Sequence, residues 1–177
     1  MIETARCIIR PVNTGDASFI LALLTSELWK RFIGDRGITS EDQAKRIIEQ
    51  NYLPLLERPG YGPHTVLLKA NQKAIGTVGI YQRDNLDYPD LGFAFLPEFI
   101  NQGFGYETSM AYLAHTRTKI KRAQIYAITN DDNIAAQRLL LKMNFIRSRA
   151  YQPLDQEGKP EVGAKSMGLY TLSFQES

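Results

Sequence analysis

Residues 91–114 read LGFAFLPEFINQGFGYETSMAYLA, and this stretch decides the fold. The apolar run 91–96 predicts a strand that Pro97 stops, Gly103 and Gly105 predict a tight turn, and Tyr106, Met110, Leu113 and Arg117 recur beyond it at helical spacing. Glycines let a backbone turn sharply and approach a ligand with no side chain between. The first turn of a helix offers unpaired N–H groups at the positive end of its dipole. A strand, a glycine turn and a helix in that order therefore make a candidate phosphate site. The same glycines could shape a tight connection and nothing more, and a lone Gly-x-Gly does not decide between the two.

Two common phosphate motifs do not fit. A P-loop needs Lys and then Ser or Thr directly after its second glycine, where this chain has Tyr106 and Glu107. A dinucleotide fingerprint needs a third small residue at Thr108 and glycines placed straight off the strand, whereas residues 97–101 intervene.

Further motifs stand at set distances from the turn. Residues 100–105 are Ile-Asn-Gln-Gly-Phe-Gly, preceded by Pro97-Glu98-Phe99, and farther on come Asn133-Ile134-Ala135-Ala136, residues 137–143, and Asn144-Phe145. The set resembles the GNAT superfamily of N-acetyltransferases, whose cofactor loop follows Arg/Gln-x-x-Gly-x-Gly/Ala and whose later motif is Asn-x-x-Ala/Ser, a helix and Gly-Phe. Within it the chain is most similar to the ribosomal-protein N-terminal acetyltransferase branch, which commonly has a large apolar residue in the position of Ile100, after a Pro-Glu-aromatic turn. The opening Arg6-Cys7-Ile8-Ile9-Arg10-Pro11 resembles that branch's first strand. Asn144 replaces the family's glycine, and Asn tolerates the left-handed conformation this slot demands.

The resemblance implies an α/β (α+β) fold with a mixed, mostly antiparallel sheet flanked by helices. Two central parallel strands, those at Leu91 and Gln124, would splay apart to admit the pantetheine arm of acetyl-CoA. It implies that Gln102, Gly103, Phe104, Gly105 and Tyr106 bind the cofactor's pyrophosphate, that Asn133 contacts the pantetheine, and that backbone N–H groups near Phe95 polarise the thioester carbonyl. Many relatives carry a catalytic Glu at the head of the first splayed strand, where this chain has Asp90. Asp90 is thus the candidate general base; it could also merely punctuate the turn 88–90, and Asp84, Asp87 and Glu98 are alternatives on the same rim. The acid slots depart from the family. Ala136 and Leu140 stand where relatives have Ser and Tyr, and neither donates a proton; water or another hydroxyl such as that of Tyr151 would have to substitute.

Composition bounds the rest. At 177 residues and 44% hydrophobic content the chain suits a single domain, 1–177, with a real core. No stretch reaches the roughly 20 apolar residues that span a bilayer, and no leader-like segment opens the chain, so a cytoplasmic location is expected. A net charge of +2, with Lys119-Ile120-Lys121-Arg122 as its one basic cluster, argues against a nucleic-acid partner. Cys7 reads as a small core residue, and Trp29 and Phe32, in the first helical region, as packing residues that could alternatively stack on a substrate. His115 reads as solvated, His64 has no partner readable from the sequence, and no metal site is expected.

The predicted order of elements is a strand at 7–12, helices at 17–30 and 41–56, a hairpin of strands 65–69 and 74–82 around Asn71-Gln72, and the strand at Leu91. A helix at 106–118, a strand at 124–129, a helix at 134–142 and strands at 145–151 and 166–174 follow. Ser40 and Gln43 form a capping box for the second helix.

The partners expected are acetyl-CoA and an amine acceptor, with the protein a monomer or homodimer. An amine must be neutral to attack a thioester. Deprotonating a lysine of pKa about 10.4 costs about 4.6 kcal/mol at pH 7, against about 1.1 kcal/mol for an α-amine of pKa about 7.8. That favours a peptide N-terminus and leaves small primary amines open. A CoA-binding sensor that has lost turnover is the rival reading, resting on the missing Ser and Tyr acids.

Overall fold

Alternating burial marks the strand at Cys7–Pro11: Cys7 and Ile9 are fully inside, while Ile8 and Arg10 are half-buried. The computed structural model describes residues 1–154, 158–161 and 163–174. The chain divides into two units, Met1–Tyr81 with Gly92–Lys121, and Gln82–Leu91 with Arg122–Ser177.

In the first unit β1 (Ile2–Glu3) pairs antiparallel with β2 (Cys7–Pro11), β2 with β3 (Gly62–Leu68), and β3 with β4 (Ala74–Tyr81). Strand β5 (Asp90–Phe95) follows β4 in the sheet, and the Leu96 N–H just beyond it donates to the Ile75 carbonyl at 2.9 Å. In the second unit the head of β5 pairs parallel with β6 (Gln124–Asn130), Asp90 opposite Tyr126. Strand β6 is antiparallel to β8 (Met167–Ser173), and β8 to β7 (Ile146–Tyr151). The expected mixed, mostly antiparallel sheet with one parallel pair is present.

Helices α1 (Ala17–Thr25), α2 (Glu27–Phe32), α3 (Glu41–Ile47), α4 (Leu53–Leu56) and α5 (Phe104–Ile120) belong to the first unit, and α6 (Ile134–Lys142) to the second. Several boundaries differ from the sequence reading, among them three in the first half of the chain. The helix expected over 17–30 breaks at Ser26, which is extended (φ −63°, ψ 145°) and caps α2 by accepting from the Trp29 N–H. The helix expected over 41–56 opens as the Ser40–Gln43 capping box requires, then widens into a π-turn over Ile48–Tyr52 before α4. Pro54 is the cause, since it has no N–H and its ring crowds the carbonyl one turn back. Strand β3 begins at Gly62 instead of Thr65.

Helix α5 buries a face the periodicity did not show. Thr108, Ser109, Tyr112, Leu113, Thr116 and Ile120 are buried, whereas of the expected stripe Leu113 is buried, Tyr106 and Met110 half-buried and Arg117 exposed. Thr108 and Thr116 hide in the core by returning their hydroxyls to the Phe104 and Tyr112 carbonyls at 2.7 and 2.8 Å.

One apolar cluster gathers Val12, Ala17, Ile20, Leu24, Ala44 and Ile48, with Trp29 packed against it as expected. In the second unit Leu86, Tyr151 and Leu169 form another with Tyr126, Ile128 and Met167. Cys7 is a core residue whose thiol is pushed up by burial and by the Glu107 charge. Helix α6 ends as anticipated at Asn144, which takes a left-handed φ of 65°. The Phe145 N–H reaches back to the Leu140 carbonyl and that of Asn144 to Leu141, each at 3.0 Å, with Leu140 and Phe145 both buried. Among the described residues no helix is long and apolar enough to cross a membrane.

Candidate active site

The glycine turn is built from two left-handed residues. Asn101 has φ 61° and Gly103 φ 84°, and α5 starts directly after Gly103, earlier than the expected Tyr106, with no side chain capping it. A left-handed residue followed by a helical one turns successive N–H groups toward a common concavity, here those of Gly103, Phe104 and Gly105, and this geometry suits an anion. The Gln102 side chain is spent inside the loop, donating to the Glu98 carbonyl at 2.6 Å. Phe104 is buried edge-on to Phe99, with ring centroids 6.2 Å apart. Gln102 and Phe104 therefore shape the loop with their side chains. Tyr106 is half-buried in the first turn.

A cluster that sequence reasoning missed braces this loop. The Glu107 carboxylate accepts from Thr4 Oγ1 at 2.6 Å, the Arg6 backbone N–H at 2.8 Å and Arg6 Nε at 2.7 Å. Arg6 Nη1 donates to the Gln102 carbonyl at 3.0 Å, and its guanidinium lies 4.1 Å from the Phe104 ring centroid. Partial burial raises the Glu107 carboxyl, but the bonds from Thr4 and Arg6 outweigh it and hold the group below the usual carboxylate range. No local pattern links residues 101 positions apart.

Strand β5 carries Phe93, Ala94 and Phe95, all half-buried despite their apolar character. Gly76 on β4 makes room for the Phe95 ring, which occupies the space a β-carbon would need.

Asp90, the candidate base, is 2% exposed in the second unit, within the strand and not in a turn. Arg83 holds it in a two-pronged pair, Nε to Oδ1 at 2.9 Å and Nη2 to Oδ2 at 3.2 Å. Burial pushes its carboxyl above the ordinary value against the lowering effect of Arg83. The alternatives Asp84, Asp87 and Glu98 are exposed, and Glu98 sits 3.5 Å from Lys73 Nζ.

Asn133, also in the second unit, caps α6 by accepting from the Ala136 N–H at 3.1 Å. That bond uses its oxygen and leaves the side-chain NH2, two donors, without a partner among the described residues. At the acid positions Ala136 has no polar group and Leu140 is 1% exposed, a packing residue. The Tyr151 hydroxyl is held by Asn85 Nδ2 at 3.1 Å.

Neither histidine joins a site. His64, for which the sequence shows no partner, has Nδ1 3.2 Å from the Gly62 carbonyl and 3.1 Å from the Tyr112 hydroxyl, and burial pulls its pKa down to about 4. His115 is exposed, as expected, beside Lys119. Among the described residues no group of His, Cys, Asp or Glu is arranged to hold a metal ion.

The sequence and the fold have counterparts in known proteins. The family model of the acetyltransferase (GNAT) domain matches residues 6–146. The uncharacterized N-acetyltransferase YoaA of Bacillus subtilis is 26% identical over 162 residues, covering 90% of this chain and 91% of its own. A Vibrio cholerae structure provisionally assigned as a ribosomal-protein-serine acetyltransferase superposes with a TM-score of 0.76 at 18% identity, covering 97% of this chain and 96% of its own. Mycobacterium smegmatis RimJ, solved with CoA-disulfide, gives 0.75 at 14% identity, covering 94% of this chain and 81% of its own. At these identities the two structures speak for the fold.

Proposed function

This chain belongs to the acetyltransferase (GNAT) domain family, and on that premise we propose that it transfers an acetyl group from acetyl-CoA directly to a primary amine, with a peptide N-terminal α-amine as the preferred acceptor. The observation that carries the reading is the loop at Gln102–Tyr106: a left-handed Gly103 ahead of a 17-residue helix that no side chain caps. Backbone N–H groups of Gly103, Phe104, Gly105 and Tyr106 receive the pyrophosphate, with Gln102 holding the loop's shape. The RimJ structure with CoA-disulfide supports a CoA ligand for this fold.

The chemistry forms a C–N and an S–H bond and breaks a C–S and an N–H bond. The neutral amine nitrogen attacks the thioester carbonyl, the C–S bond breaks, and the departing thiolate takes up a proton to leave as free CoA. Backbone N–H near Phe95 steadies the oxyanion that develops on the carbonyl. Asp90 accepts the amine's proton through a bridging water, since Asp reaches less far than Glu and Arg83 occupies one acceptor site on each of its oxygens. Its raised pKa makes it a stronger base than an ordinary carboxylate. Asn133 donates to a carbonyl of the pantetheine arm with its spare NH2.

A thiol of pKa about 8.5 is a fair leaving group near neutrality, so turnover does not require an acid at Ala136 or Leu140. The empty acid slots are also what favours the second reading, a CoA-binding sensor. A screen of N-terminal peptides and small amines with acetyl-CoA, monitored by free thiol release, separates them. Acceptor-dependent thiol release, fastest with peptide N-termini, is the expected result. CoA binding without turnover on any acceptor would leave the sensor.

A further inference from the structure

The phosphate loop carries its own contradiction. Glu107 stands in the first turn of α5, where a carboxylate interacts well with the helix dipole but repels any anion delivered to the same turn. The three hydrogen bonds from Thr4 and Arg6 keep it ionised and fixed. Among the described residues Arg6 is the cation paired with it, and one of its prongs goes to the loop itself. In a trans peptide the C=O and the following N–H point opposite ways. Holding the Gln102 carbonyl on Arg6 Nη1 therefore turns the Gly103 N–H to the other side, toward the concavity.

On the reading that this loop receives the diphosphate of CoA, we propose that Arg6 is a positioning residue for the cofactor, one that aims the Gly103 N–H into the loop and cancels the Glu107 charge. Thr4 and the Arg6 backbone N–H hold the carboxylate in place, and the guanidinium makes that carboxylate tolerable to an anion. The stacking of Arg6 on Phe104 ties both to the helix start.

The test is a cycle of Arg6→Ala, Glu107→Gln and the double variant, with CoA affinity read by calorimetry at two ionic strengths. Pantetheine, which lacks the diphosphate, serves as control. Arg6→Ala retains the backbone N–H, so Glu107 stays bound and charged but uncompensated. CoA affinity should fall about 10- to 100-fold, more at low salt, with pantetheine binding unchanged. Adding Glu107→Gln to Arg6→Ala should restore part of the loss, an interaction of opposite sign to simple damage. Arg6→Lys, which keeps the charge but loses the fork, should lie between, and it stands in if the alanine variant does not fold. A double variant weaker than Arg6→Ala alone, equal losses for CoA and pantetheine, or unchanged CoA affinity overturns the role of Arg6 while leaving the loop's assignment intact. Wild-type protein that does not bind CoA overturns both.

Discussion

Two aspartates in this molecule share burial and partner yet titrate in opposite directions. Asp16 is 5% exposed and Asp90 2%, and each is gripped by both prongs of an arginine, Arg10 or Arg83. For Asp16 burial again works to raise the carboxyl, but the hydrogen bonds from Arg10, the Asn13 N–H and the Thr65 hydroxyl outweigh it and pull the group below the ordinary value. For Asp90 burial wins, because Arg83 has little help beyond the residue's own N–H. What separates the two is how much hydrogen-bonding capacity is already filled. A saturated carboxylate is a structural part, and an undersaturated one has acceptor sites left for a water or a substrate proton.

The contrast is sharpest in turnover. Asp90→Asn should lower kcat/KM by about 10²- to 10⁴-fold near neutral pH, with the deficit shrinking as pH passes the amine's own pKa and neutral amine forms unaided. Asp16→Asn should leave the shape of the pH–rate profile unchanged. Profiles of both variants against wild type, with CoA affinity as control, decide it. If Asp90→Asn loses the same factor at every pH, or nothing, Asp90 is structural like Asp16 and the distinction collapses.

Stability should separate the pair the other way. Asp16→Asn breaks a buried ion pair and should cost about 3 kcal/mol in urea denaturation near neutral pH, the low end for such losses because Arg10 keeps partial access to water. The acid limb then carries a sign. A lowered carboxyl contributes stability that is present above its unfolded pKa and lost as pH falls through the folded one, so removing Asp16 should flatten the loss of stability in acid. A raised carboxyl contributes stability that is full below the unfolded pKa and lost as pH rises through the folded one. Removing Asp90 should therefore steepen that limb. Matching slopes in the two variants would mean that burial alone governs both groups.

The parts of the molecule legible in the sequence are those whose chemistry is local. The strand, glycine turn and helix over 91–114 are contiguous, Ser40 and Gln43 cap within one turn, and Asn144 needs only its own φ. The π-turn ahead of α4 had a visible signal in Pro54, which lies inside the helix expected over 41–56. The buried face of α5 had none that hydropathy can detect, because Thr108, Ser109 and Thr116 count as polar until their positions are known. Arg6 and Glu107 meet only after folding, and the burial that raises Asp90 is supplied by tertiary packing.

Asn133 extends the same distinction to a neutral group and gives the smallest effect. Its oxygen is committed to the Ala136 N–H as the cap of α6, while its NH2 is unspent among the described residues. A residue serving only as a cap should be replaceable by serine, which caps about as well as asparagine. If the free NH2 donates to the pantetheine arm, Asn133→Ser should keep the melting temperature within about a degree or two of wild type. It should also raise the KM for acetyl-CoA about two- to tenfold, the equivalent of one neutral hydrogen bond, roughly 0.5–1.5 kcal/mol. The KM for the acceptor should move less. Asn133→Ala removes both functions and should lower the melting temperature as well, so the two variants separate cap from ligand contact. A serine variant with unchanged KM for acetyl-CoA would make Asn133 a cap alone, and spare capacity would then fail as a marker of function outside charged groups.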